Sequence, residues 1–272
     1  MKTLIIDTSK CNGCYNCQIS CKDEHVGNDW TPYAKPQPDT GQFWMKLNET
    51  VRGTVPKVKI SYVPEICRHC DNAPCIQACR ENAIYKRDDG IVIVDPEKCR
   101  GSRNCVDACP YGAIYFNWDL NISQKCTMCS HLLDKGWKEP RCVDLCPTGA
   151  LTFGEEEELK DQIEKTEPHS LDSNTKPRVH YLNLPKRFIA GAVFDAEEDE
   201  CIQGALLTLL DKESGETFTA ESDYFGDFWF RKLKAGEYSI SIKKEGYLSK
   251  EIKAISTEKD VNLGDIELSQ VP

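Results

Sequence analysis

The chain has 272 residues, 16 cysteines and a formal net charge of -10 at pH 7. Its length allows two domains with separate cores, and its acidity argues against a nucleic acid partner, because phosphate contacts need clustered lysine and arginine. The sequence shows neither a secretory signal nor an apolar run of about eighteen residues, so we expect a cytoplasmic protein without a membrane segment. In that reducing compartment, dense cysteines indicate metal binding rather than disulfides.

All cysteines except Cys201 fall into four runs between Cys11 and Cys146. In chain order the runs are Cys11, Cys14, Cys17 and Cys21; Cys67, Cys70, Cys75 and Cys79; Cys99, Cys105 and Cys109; and Cys126, Cys129, Cys142 and Cys146. The third run, KCRGSRNCVDAC, has Ser102 at the place that Cys14 takes in the first run, KCNGCYNCQISC. If the runs hold clusters of metal ions, one thiol ligand is missing.

The runs stand in a repeated frame. TLIIDTSKC before the first run matches IVIVDPEKC before the third, and CPYGAIYF after the third matches CPTGALTF after the fourth. The segment after the second run predicts a strand, a turn at Asp89 and Gly90, and a returning strand. Pro110 and Pro147 directly follow the last cysteine of their runs, as in bacterial ferredoxins, in which that cysteine binds the other cluster of a pair. The pattern predicts a tandem ferredoxin-like domain.

The spacing suits a 4Fe-4S cube, since cysteines three residues apart let one loop hold three corners while backbone N–H groups face the sulfides. Zinc also accepts paired cysteines, but zinc does not explain the third and fourth cysteine of each run or the proline that follows. His25, His69 and His131 flank the runs. We interpret them as residues that surround the ligands or lie on the surface, and not as ligands themselves. Cys201 is expected to be an ordinary thiol of the other domain.

A short acidic helix-like run and a polar linker follow the last cysteine run and mark a boundary near Lys186. From Phe188 onward, alternating runs such as GALLTLL and EYSISI predict about seven short strands of a sandwich. We expect the aromatic side chains of Tyr224, Phe225, Phe228 and Phe230 in its core. The predicted fold class is α+β, with a ferredoxin-like iron-sulfur domain at residues 1–186 and an all-β sandwich at residues 187–272.

With the four runs in this order, residues 1–184 resemble the iron-sulfur subunits of molybdenum and tungsten bis-pterin oxidoreductases, the dimethyl sulfoxide reductase group. SDYFGDFWFRKLKAGEYSISIKKEGY resembles the transthyretin-like, or carboxypeptidase-regulatory, sandwich, which has an immunoglobulin-like architecture. The motifs CKDEH, TKPRVHYLNL and YFGDFWF narrow the resemblance to transhydroxylase-like members of the group. Such members act on polyhydroxylated aromatics.

The resemblance implies a nested set of ligands. One cluster would take Cys11, Cys14, Cys17 and Cys146; a second Cys21, Cys126, Cys129 and Cys142; a third Cys67, Cys70, Cys75 and Cys109; and a fourth Cys79, Cys99 and Cys105. The fourth site could hold a 3Fe-4S cluster, or a 4Fe-4S cluster whose last iron takes Ser102 or water, or it could be empty. Three 4Fe-4S clusters and a fourth of either type are therefore expected.

The function implied by the resemblance is electron transfer by a non-catalytic subunit. Its partner would be a large catalytic subunit that carries the bis-pterin molybdenum or tungsten. The chain has no GxGxxG, GxSxG or HExxH motif that would indicate an active site of its own. Alternatives are the same role in a polyphenol hydroxylase or dehydroxylase, or in a reductase of a small oxidant, and a structural subunit whose clusters only stabilise its fold.

Overall fold

The computed structural model describes residues 1–168 and 174–272. The chain divides into two compact units: Met1–Glu49 with Tyr62–Leu184, and Thr50–Ser61 with Pro185–Pro272. The second unit thus contains a segment from the first quarter of the chain, which the sequence analysis placed within residues 1–186. Within the described ranges, no helix is long and apolar enough to cross a membrane.

The first unit is built from short strands and short helices. Its strands are β1 Lys2–Asp7, β2 Met45–Thr54, β3 Lys57–Ile66, β4 Ile84–Lys86, β5 Val92–Val94, β6 Tyr115–Asn117, β7 Ile122–Gln124, β8 Leu151–Glu155 and β9 Val179–Leu182, with the tip of the β2–β3 hairpin belonging to the second unit. Its helices are α1 Asn16–His25, α2 Pro74–Ala78, α3 Asn104–Ala108, α4 Ser130–Leu133, α5 Arg141–Asp144 and α6 Lys160–Ile163, and a 3-10 turn covers Thr8–Lys10.

Strand β1 is the centre of a three-stranded sheet. It pairs antiparallel with β8 and parallel with β9, so that Leu4 stands opposite both Phe153 and Val179. The prediction of a polar linker is wrong for Val179–Leu182, where the alternating side chains of Val179 and Tyr181 are buried. The linker residues 169–173 lie outside the described residues.

Two small hairpins support the cysteine runs. Strands β4 and β5 pair through Ile84 and Val94, and Gly90 has a φ of +89° in their turn, which confirms the predicted strand, turn and strand. Strands β6 and β7 form the other hairpin. One apolar core of the unit encloses cysteines of the first, second and fourth runs, and a smaller core around Val92 encloses cysteines of the second and third. Most cysteines of the four runs are therefore part of the hydrophobic interior, whereas Cys14 is exposed.

The second unit is a sandwich of two sheets. Its strands are β10 Arg187–Asp195, β11 Glu200–Cys201, β12 Leu206–Asp211, β13 Thr217–Glu221, β14 Asp227–Leu233, β15 Glu237–Lys243, β16 Lys250–Ser256 and β17 Val261–Glu267. One sheet has the order β11-β10-β14, with β17 parallel to β10, and the other has the order β13-β12-β15-β16. Alternate residues of β12 face inward, as Leu207 and Leu209 do, which is the period of two expected for half-buried strands.

The four aromatic side chains predicted for this core divide into two pairs. Phe228 and Phe230 are buried in β14, as predicted. Tyr224 and Phe225 are 74% and 68% exposed, so the prediction is wrong for them. They lie in the turn before β14, where Asp223 Oδ1 accepts the backbone N–H of Phe225 at 2.9 Å, and this local bond holds the two rings away from the sheet.

Candidate iron-sulfur centres

The four cysteine runs share one feature of backbone geometry. The residue before the second ligand position has a positive φ in every run: +78° at Gly13, +44° at His69, +75° at Gly101 and +48° at Met128. A left-handed residue turns successive N–H groups toward one side of a loop and makes a concave site for anions. The match between Gly13 and Gly101 indicates that Ser102 stands on the same local backbone as Cys14.

The third cysteine of each run has a common position as well. Cys17, Cys75, Cys105 and Cys142 are each the second residue of a short helix, in α1, α2, α3 and α5. The first N–H groups of a helix have no partner within the helix, so they are free to bond to neighbouring acceptors. The local sequence of each run therefore folds into a loop followed by a helix start.

Long-range packing brings Cys146, the last cysteine of the fourth run, to the first run. The thiols of Cys11, Cys14, Cys17 and Cys146 line one cavity. Burial first, and then the nearby Cys11 and Cys146, raise the pKa of Cys17 to about 12. Such a thiol keeps its proton at neutral pH unless a metal replaces it.

Cys109, the last cysteine of the third run, joins the second run in the same way. With Cys67, Cys70 and Cys75 it lines one cavity. His69 lies in the wall of this cavity, and its Nδ1 accepts the backbone N–H of Val92 at 3.0 Å. The ring proton of the neutral imidazole is therefore on Nε2, which is buried and has no hydrogen-bond partner in the described part of the chain.

Cys21, Cys126, Cys129 and Cys142 form a fully buried group. Burial, followed by the charges of the other three thiols, raises the pKa of Cys142 far above its ordinary value. The Nε2 atom of His25 lies 4.0 Å from the Sγ of Cys129. Burial lowers the pKa of His25 to about 3, so this imidazole is neutral at physiological pH.

The fourth group consists of Cys79, Cys99 and Cys105. Burial raises the pKa of Cys105, and the other two thiols add to that rise. The thiol of Cys105 donates to Ser123 Oγ at 3.2 Å, and the backbone N–H of Ser123 lies 3.5 Å from the Sγ of Cys99. Ser102 is exposed, and its hydroxyl donates to Glu81 Oε2 at 3.5 Å.

These arrangements fit iron-sulfur clusters. Buried donors beside the thiol groups have no partner in the described residues, among them Arg68 Nε, His69 Nε2 and Thr127 Oγ1. Backbone and side-chain donors of this kind bond to the sulfurs of a cluster and set its potential. Within residues 1–168 and 174–272, no three cysteine, histidine or acidic side chains are arranged to hold a single metal ion.

Some features of the sites escaped the sequence analysis. His25, His69 and His131 are at most 2% exposed. Of the two positions expected for them, around the ligands or on the surface, the structure shows the buried one beside the thiols. Ser123 was not predicted at all. It carries no sequence signal, because the pairing of β6 with β7 brings it to Cys99 and Cys105.

Comparison with known proteins finds two family domains in this chain. Residues 58–156 match a 4Fe-4S dicluster domain, and residues 189–269 match a carboxypeptidase regulatory-like domain. A tetrathionate reductase subunit of Salmonella typhimurium is 33% identical over 68% of this chain and 74% of its own length. A sulfite dehydrogenase subunit of Allochromatium vinosum is 34% identical over 68% of this chain and 82% of its own length.

The fold and the cysteine groups define an iron-sulfur electron-transfer subunit. The chain is 39% identical to the pyrogallol hydroxytransferase small subunit of Pelobacter acidigallici over 97% of its own length and 98% of that protein. It therefore belongs to the family of iron-sulfur subunits of molybdenum and tungsten oxidoreductases, the dimethyl sulfoxide reductase group. Membership implies a large catalytic partner subunit.

Proposed function

We propose that this chain is the electron-transfer subunit of a cytoplasmic, transhydroxylase-like molybdenum or tungsten enzyme that acts on polyhydroxylated aromatics. The observation that carries the proposal is the similarity to the pyrogallol hydroxytransferase small subunit, which covers both the cysteine region and the sandwich. The tetrathionate reductase and sulfite dehydrogenase subunits match only about two thirds of this chain. An aromatic substrate is thus favoured over a small inorganic one.

We assign the clusters to the four thiol groups described above. When bound, the clusters supply one-electron transfer to or from the pterin-bound metal of the partner. The residues of this chain provide the thiolates, exclude water through the two apolar cores, and donate N–H groups toward the sulfides. We place no catalytic residue in this chain, so substrate chemistry belongs to the large subunit.

A second candidate is a hydroxylase or dehydroxylase of polyphenols. The retained trio Cys79, Cys99 and Cys105 favours it, because a long chain of clusters suits net oxidation or reduction. A transhydroxylase consumes no electrons overall. In such an enzyme the clusters would set the oxidation state of the pterin-bound metal. The structural alternative, in which the clusters only brace the fold, is distinguished by whether they change oxidation state during turnover.

The test is anaerobic co-purification with the large subunit, followed by incubation with pyrogallol. Conversion to an isomeric trihydroxybenzene without added reductant is the expected result. Conversion only with a reduced donor would favour the dehydroxylase. Clusters that no reductant or substrate changes, as followed by electron paramagnetic resonance (EPR), would overturn the electron-transfer role.

For the fourth group we propose a 3Fe-4S cluster, since the hydroxyl of Ser102 bonds to Glu81 rather than to the trio. Ser102→Cys is expected to supply the missing thiolate, abolish the EPR signal of the oxidised 3Fe-4S cluster and raise the iron content by about one atom, from about fifteen to about sixteen per chain. Ser102→Ala should leave both unchanged. Loss of iron in Ser102→Ala would instead mean that the serine oxygen is a ligand, and about twelve iron atoms in the unmodified chain would mean an empty site.

A further inference from the structure

Lys125 is a buried lysine that the electron-transfer role does not explain. It directly follows β7, and its side chain is only 2% exposed. The ammonium donates to the backbone carbonyls of Val92 and Cys126, the latter at 3.0 Å. In the parts of the chain that the structure describes, no carboxylate lies within ion-pairing distance of it.

This position is costly for a charge. Removing an ammonium from water costs several kcal/mol, and buried charges are as a rule paired with an opposite charge. Two carbonyl dipoles compensate only part of that cost. Lys86 shows the usual arrangement in the same unit, because its ammonium pairs with Asp71 at 2.7 Å. A negative charge is therefore expected near Lys125.

Val92 connects Lys125 to the thiol group of the second run, because its carbonyl accepts from the ammonium and the residue lines the same cavity as Cys75 and Cys109. Burial raises the pKa of Cys75 to about 12, and the largest opposing effect comes from the charge of Lys125. The same charge acts on Cys109, across the cavity that these two cysteines line. An iron-sulfur core with four thiolates carries net negative charge and gains one more on reduction.

We propose that the Lys125 ammonium is the fixed counter-charge of the cluster at Cys67, Cys70, Cys75 and Cys109, and that it raises the midpoint potential of that cluster. The inference rests on the proposed function, because it requires a redox-active cluster at this group. Reduction adds one electron to the cluster. Lys125 is thus a residue that sets the potential of one cluster in the chain of four.

The test is a potentiometric EPR titration of the whole reconstituted chain in four forms: unmodified, Lys125→Met, Lys125→Arg and the control Lys86→Met. The component to follow is the one that Cys70→Ala abolishes. Its midpoint potential is expected to fall in Lys125→Met and to stay near the unmodified value in Lys125→Arg. Lys86→Met should move it less than Lys125→Met does, because the charge of Lys86 is already neutralised by Asp71.

An unchanged or raised potential in Lys125→Met, with full iron content, would overturn the inference. If Lys125→Met fails to retain this cluster, Lys125→Arg decides. A cluster that is retained in Lys125→Arg, with a midpoint potential near the unmodified value, supports the role of Lys125 as counter-charge. Loss of the cluster in both variants would assign Lys125 to packing and overturn the inference. Failure of the proposed function is a separate result. In that case the unmodified chain itself would show no reducible cluster.

Discussion

Cys109→Ala is expected to abolish the 4Fe-4S cluster of the second run, although Cys109 lies in the third run. The thiol of Cys109 faces Cys67, Cys70 and Cys75 across one cavity, and three thiolates from one run leave a corner of the cube without a ligand. Iron content should fall by about one atom per chain if the remaining three thiolates keep a 3Fe-4S cluster, and by about four if the cluster is lost. Because cluster binding and folding are linked, the purified yield should fall as well.

The spectrum separates this crossed arrangement from ligation within each run. Cys109→Ala and Cys70→Ala should lose the same EPR component, and Cys105→Ala should lose a different one. If Cys109→Ala instead matched Cys105→Ala, the third run would hold its own cluster and the assignment would be wrong. Cys201→Ala is the control, since that thiol is exposed on β11 of the sandwich and should change neither iron nor spectrum.

Arg52→Ala is expected to lower the free energy of unfolding of the second unit by about 3 kcal/mol. The guanidinium of Arg52 bonds to both carboxylate oxygens of Asp260 at 2.7 Å, and the side chains are only 10% and 4% exposed. It also donates to the carbonyl of Lys186 at 2.6 Å. Removing it leaves the Asp260 carboxylate buried without its counter-charge, which costs more than the loss of the contact alone.

Urea unfolding of the whole chain, followed by circular dichroism, measures the effect. The stability of Arg52→Lys should fall between those of the unmodified chain and Arg52→Ala, because lysine keeps the charge but not the paired geometry. Lys253→Ala is the matched control: its ammonium lies 3.4 Å from Glu251, both side chains are more than half exposed, and such pairs contribute less than about 1 kcal/mol. A change in Arg52→Ala no larger than in Lys253→Ala would contradict the prediction.

Cys109 and Arg52 each connect segments that are distant in sequence. Cys109 joins thiols of two runs, and Arg52 joins a hairpin tip to strands that begin more than a hundred residues later. In both cases one side chain fixes segments that are distant in sequence. Loss of either should therefore be felt well beyond its own strand or helix.

What the sequence determined by itself is local. The spacing of the cysteines, the proline after Cys109 and Cys146, and the turn at Gly90 each fix a loop or hairpin within about a dozen residues, because backbone sterics and side-chain period act over that distance. The sandwich strands followed from alternation for the same reason. The exposed pair Tyr224 and Phe225 shows the limit, since composition alone does not tell a turn from the strand beside it.

Only the tertiary structure decided which segments meet. It set Thr50–Ser61 in the second unit, paired β9 with β1, and buried Lys125 beside the thiols of Cys75 and Cys109. The family resemblance implied that the last cysteine of one run binds the cluster of another run, but no local sequence pattern specifies this. The physical reason is that such contacts depend on burial and charge shared between distant segments, and these arise only when the chain has folded.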